Sequence, residues 1–106
     1  MDSFTKKIVE KFVSDISREI PVEKAVLFGS RAKGEALKHS DFDLIIVSQA
    51  FEGKRFPSRA ADLLKHWNQP QDLEALCYTP KEFNKYKKEL NFIKKAIKEG
   101  ILIKTA

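Results

Sequence analysis

Gly29-Ser30 closes one apolar run and Asp41-Phe42-Asp43 opens the next, within the stretch LFGSRAKGEALKHSDFDLIIV from Leu27 to Val47. Side chains on a strand alternate between faces, so Asp41 and Asp43 share one face while Phe42, Leu44 and Ile46 take the other. Two carboxylates on one face repel each other unless a cation sits between them. Hard oxygen ligands, few in number and completed by phosphate and water, suit Mg²⁺ or Mn²⁺. Taken alone, Asp-x-Asp is common, and a loop-capping Asp41 beside a solvated Asp43 is its ordinary explanation. A second acidic pair alters the balance. Asp72 and Glu74, in DLEALCYT, also share a strand face, and one of them can join the first pair if the strands lie side by side. Three convergent carboxylates are the usual cradle of a two-metal phosphoryl site. For Asp72 a polar strand edge is the plain alternative.

Gly29-Ser30 supplies the other half of such a site. Glycine lets a backbone approach a phosphate closely, and N–H groups at a helix start bind anions. Ser30 adds a hydroxyl, and Arg31 and Lys33 lie near enough in sequence to meet phosphate charge. An ordinary strand-to-helix turn with a serine cap explains a lone Gly-Ser equally well.

These residues need elements to hold them. Phe4, Ile8, Val9, Phe12, Val13, Ile16 and Ile20 recur at helical spacing, which predicts a helix over about 4–20 stopped by Pro21. VEKAVLFG and DFDLIIVS read as strands, with a short helical turn and a loop between them. FEGKRFP reads as a loop, Ser58 to Trp67 as a helix, NQPQ as a turn and DLEALCYT as a third strand. Thr79-Pro80-Lys81-Glu82 is a capping box with proline at the first helical position. Its helix runs to about Glu99 with an interruption near Asn91, Gly100 ends it, and ILIK is a last short strand. The connection between the first two strands is too short for a parallel crossover. The expected fold is α/β of the α+β kind: a mixed or antiparallel four-stranded sheet with helices packed on one face. Ile45 and Val47 share the face of the aspartates and would then lie partly uncovered, a strip that a homodimer or another partner could cover. By strand parity Cys77 points into the core and packs there. Trp67 and Phe83 read as core, His39 as a loop residue and His66 as a helix-surface residue.

A chain of 106 residues fits one domain, 1–106, with a real core. Its 42% hydrophobic and 33% charged content describes a globular chain, not a disordered one. One cysteine excludes an internal disulfide framework and suits a reducing cytoplasm. No apolar run approaches the roughly 20 residues that span a bilayer, and MDSFTKKIVEKF lacks the apolar core of a signal peptide. The net charge is +5, and the segment from Pro80 onward, with eight lysines against Glu82, Glu89 and Glu99, carries that excess by itself. A solvated lysine-rich helix face explains it better than nucleic-acid binding, since no arginines or aromatics are interleaved for base stacking.

The combination of Gly29-Ser30, ten intervening residues, Asp41-x-Asp43 and flanking strands resembles the nucleotidyltransferase superfamily related to DNA polymerase beta. The short chain is similar to its minimal branch, which includes antitoxin partners of HEPN-type toxins. EALCYTPKEF fits more loosely. The resemblance implies transfer of a nucleoside monophosphate, AMP from ATP being the expected case, to a hydroxyl with release of pyrophosphate. It implies Mg²⁺ on Asp41, Asp43 and a third carboxylate, here Glu74 in preference to Asp72, and the triphosphate on Gly29, Ser30 and Arg31. Aspartate is more usual at the third position, so Glu74 departs from the pattern. That departure and the small size leave a second reading, a module that binds a nucleotide or a partner without turnover. A HEPN-type toxin as acceptor also comes from the resemblance.

Overall fold

The computed structural model describes residues 1–105 and is organised around one strand that is apolar on both sides. In β2 (Phe42–Val47), Phe42, Leu44, Ile45, Ile46 and Val47 are all buried. Such a continuous run needs cover above and below. β2 lies inside a four-stranded sheet of order β3-β2-β1-β4, between β3 (Leu73–Tyr78) and β1 (Lys24–Phe28), with β4 (Ile101–Ile103) at the far edge. β1 pairs antiparallel with both β2 and β4, and β2 pairs parallel with β3, so the sheet is mixed. The short β1–β2 connection gives the antiparallel pair expected from its length.

The periodic segments form helices near their expected places. α1 (Ser3–Ile16) starts at Asp2, whose carboxylate accepts the Thr5 N–H at 2.7 Å, and buries Val9, Phe12, Val13 and Ile16. α2 (Ser30–Lys33) is a single turn after β1. A 3-10 turn at Gln49–Phe51 leads to α3 (Phe56–Leu64), which starts earlier than Ser58 and ends before Trp67. α4 (Pro80–Glu89) carries the full Thr79–Glu82 capping box, and Leu90 leaves helical geometry before α5 (Asn91–Glu99) begins.

The expectation of helices on one face is corrected. α1 and α3 cover the face presenting Ala25, Leu27, Phe42, Leu44, Ile46 and Cys77. On the opposite face Phe83, Ile93 and Ala96 of α4 and α5 pack on Val26, Phe28, Ile45, Val47 and Tyr78. Ile45 and Val47 are therefore 0% and 3% exposed, and they give no ground for a homodimer. The α4–α5 pair supplies the cover expected from a second subunit. Cys77 is buried, and burial pushes its thiol up to about 12, which fits packing and not nucleophilic chemistry.

One clamp joins the two helical layers. Arg59 of α3 is buried, and its Nη1 and Nη2 donate to the Glu82 carboxylate at 2.6 and 3.2 Å. It also donates to the carbonyls of Cys77 and Lys54. Glu82 in turn accepts the Thr79 N–H at 2.8 Å, so one carboxylate caps α4 and anchors α3. Among the described residues no helix is long and apolar enough to cross a membrane.

Candidate active site

The sheet topology brings the C-terminal end of β1 beside the N-terminal ends of β2 and β3. Phe28, the last residue of β1, sits opposite Asp43, and Asp43 sits in register with Glu74. Asp41 lies two residues before Asp43 and is exposed; Asp72 lies just before β3, and its carbonyl accepts the Phe42 N–H at 2.8 Å. The alternation of faces places Asp43 and Glu74 with Ile45 and Leu76, on the side covered by α4 and α5. The register sets Glu74, not Asp72, directly beside Asp43.

Gly29 closes against this acidic end. Its φ of +76° lies where a side chain is strained, and a Cβ built there would stand 2.5 Å from Asp43 Oδ2. Glycine is thus demanded twice, by the turn out of β1 and by the carboxylate packed against it. Asp43 is half-buried. Burial raises its carboxyl above the usual range, and the nearby charges of Glu74 and Asp41 push the same way. An anionic group held under such repulsion gains from a cation.

The donor set is hard oxygen, crowded enough for mutual repulsion and open to solvent at Asp41 and Glu74. Among the described residues no group of three such side chains already stands in metal-holding geometry. Mg²⁺ does not require one, since it binds through one or two carboxylates and takes its other ligands from water and substrate phosphates. The residues therefore fit that ion.

Arg31 does not reach this site. Arg31 is 3% exposed, and its guanidinium faces the loop between α2 and β2. Nη2 donates to the Ser40 carbonyl at 2.9 Å and to that of Lys38 at 3.3 Å, and Nε also donates to Ser40. Nη1 donates to Thr5 Oγ1 at 3.2 Å, and the group stacks 4.2 Å from the centre of the Phe42 ring. The expected phosphate contact is corrected: Arg31 ties down the loop that ends at Asp41. Lys33 pairs with Glu99 at 3.3 Å. His39 is exposed, and His66 stands 3.2 Å from Glu19, away from the acidic end.

A cavity of about 210 Å³, not foreseen from the sequence, opens beside Gly29. Phe28 and Phe92 form its aromatic side, with Lys33, Lys95 and Glu99 around it and Ala96 between. The helical break at Leu90 sets α5 across the end of β1, but no local pattern marks Phe92 as a lining residue.

The chain belongs to the nucleotidyltransferase domain family, whose model matches residues 6–104. Among solved structures it is similar to a Sulfolobus solfataricus protein assigned as a nucleotidyltransferase, with a TM-score of 0.67 and 18% identity over 93% of this chain and 78% of that one. It is also similar to the BolA domain of SufE1 from Arabidopsis thaliana, with a TM-score of 0.53 and 24% identity over 77% of this chain and 98% of that one. BolA1 from Arabidopsis thaliana has a TM-score of 0.54 and 20% identity over the same shares. At these identities the structural likenesses speak for the fold alone. No match was found among curated protein sequences.

Proposed function

We infer that the chain is a Mg²⁺-dependent nucleotidyltransferase that moves a nucleoside monophosphate, AMP from ATP, onto a hydroxyl of a partner protein. The observation that carries this reading is the packing of Gly29 against Asp43, with Asp43 in register with Glu74. Asp41, Asp43 and Glu74 would hold magnesium, which when bound neutralises triphosphate charge and lowers the pKa of the acceptor hydroxyl. Gly29 leaves room for the triphosphate backbone, and Ser30 offers its hydroxyl. Arg31 holds the carbonyl of Ser40, the residue just before Asp41. The acceptor oxygen attacks the α-phosphorus in line, the bond to the β-phosphate bridging oxygen breaks, and pyrophosphate leaves. The hydroxyl proton passes to solvent through the open side of the site, where Glu74 is exposed. Positioning and charge neutralisation supply the rate, and no histidine base is needed.

The acceptor, a HEPN-type toxin that this chain would neutralise as its antitoxin, rests on the motif resemblance. Incubation with labelled ATP, Mg²⁺ and such a partner should transfer label to the partner. Asp41→Asn with Asp43→Asn should abolish metal-dependent ATP binding and transfer together, while Glu74→Gln should cut transfer and leave ATP binding largely intact. A double Asn variant that still binds Mg²⁺-ATP like the parent would refute the site.

A second reading is a module that binds nucleotide without turnover. It is favoured by Glu74, where aspartate is the more usual third carboxylate, and by the small size of the chain. Calorimetric binding of Mg²⁺-ATP without label transfer to any partner would decide for it.

A further inference from the structure

We propose that the cavity between Gly29 and α5 receives the nucleobase, with Phe92 as its stacking platform. This assignment rests on the nucleotide-binding reading of the Gly29–Asp43 end.

Four observations point to a flat aromatic ligand joined to a polyanion. First, Phe92 is 54% exposed although its ring meets Phe28 edge-to-face at 5.6 Å, so one ring is held by the other and still leaves surface free. An aromatic side chain fixed in this way loses little freedom when a base stacks on it. Second, the cavity shares the Gly29 wall with the acidic end, on the α4–α5 side of the sheet that Asp43 also faces. A ligand with phosphates at Gly29 would reach the cavity without crossing a strand. Third, its volume of about 210 Å³ is below the roughly 300–1,000 Å³ of pockets that enclose a whole drug-sized ligand. That size suits a single ring system, with the sugar and phosphates left outside. Fourth, the rim is charged. Lys33 is paired with Glu99, and Lys95 stands exposed beside them. These groups can donate to and accept from the edge of a heterocycle, and the two ammonium groups favour a ligand with negative charge at its other end.

Calorimetry with Mg²⁺ separates this assignment from the reading beneath it, using ATP and inorganic tripolyphosphate as probes. The parent protein should bind ATP more tightly than tripolyphosphate. Phe92→Ala should weaken ATP by on the order of tenfold, the scale of one base–aromatic stack, and leave tripolyphosphate unchanged. Phe92→Leu, which keeps apolar contact with Phe28, should lose most of the same advantage and control for any shift of α5. Unchanged ATP binding in both variants would overturn the base assignment alone. An equal loss of both probes would overturn it too, by showing that the cavity serves the phosphate chain or that α5 has moved. Binding of neither probe by the parent would overturn this assignment and the nucleotide reading together.

Discussion

Asp43 carries the main tension at the residue scale. It sits half-buried between Gly29, Glu74 and Asp41, and burial, with the charges of Glu74 and Asp41, raises its pKa. A carboxylate whose folded pKa lies above its unfolded value has its full contribution to stability below the unfolded pKa and loses it as pH rises through the folded one. Asp43→Asn should therefore raise the melting temperature at neutral pH, and the gain should vanish below about pH 3.8, the ordinary value. Thermal melts of both proteins across that range test it; a variant less stable at neutral pH would mean that Asp43 is a structural cap. Arg31 is the opposite case, a charge fully used by the fold. Lysine cannot reproduce a planar fork that bonds Ser40, Lys38 and Thr5 at once. Arg31→Lys should cost about 2 kcal/mol, the scale of one lost hydrogen bond to a charged group, in denaturant unfolding. Arg31→Met, which removes the charge, should also weaken Mg²⁺-ATP binding with no change in the salt dependence of that binding, since the guanidinium is spent on Ser40, Lys38 and Thr5. A reduced salt slope would restore the phosphate-contact role.

At the scale of elements, the Arg59–Glu82 clamp ties α3 to the start of α4, across the end of β3. The Arg59 guanidinium and the Thr79 N–H hold the Glu82 carboxyl below its usual range. A depressed carboxylate stabilises above its unfolded pKa, and that stability is lost as pH falls through the folded value. Stability should thus decline below about pH 4.5. Glu82→Gln should remove that part of the decline and cost about 2 kcal/mol at neutral pH, as read from urea unfolding at the two pH values. Several of these elements were legible because their signals are local. The period of α1, the Thr79–Glu82 box and the break near Asn91 each follow from neighbours in sequence. The place of α4 and α5 was not. Ile45 and Val47 say that β2 is apolar on that side, but a second subunit and a helix pair of the same chain would bury them alike. Arg31 misled for a similar reason: its partner Thr5 is 26 positions away, and nothing beside Gly29-Ser30 separates an arginine that grips phosphate from one that grips carbonyls.

For the whole molecule, the parallel pairing of β2 with β3 has a kinetic consequence. β1 and β2 meet through a short loop, whereas β3 can join β2 only after residues 48–72 fold back across the sheet. Pairings of this non-local kind are slow, since loop closure precedes the contacts that reward it. The register makes Asp43 and Glu74 neighbours at that step, and like charges side by side on a sheet repel. The acidic pair that would hold magnesium therefore also opposes the assembly of the sheet that carries it. In stopped-flow chevrons Asp43→Asn should speed refolding several-fold and leave the unfolding limb nearly in place, which is the behaviour of a group already in its native surroundings at the transition state. A change confined to the unfolding limb would instead place β2–β3 docking after the barrier. In the first case a divalent cation added during refolding should speed the parent protein and not the variant, so that the ion acts on the chain before any substrate does.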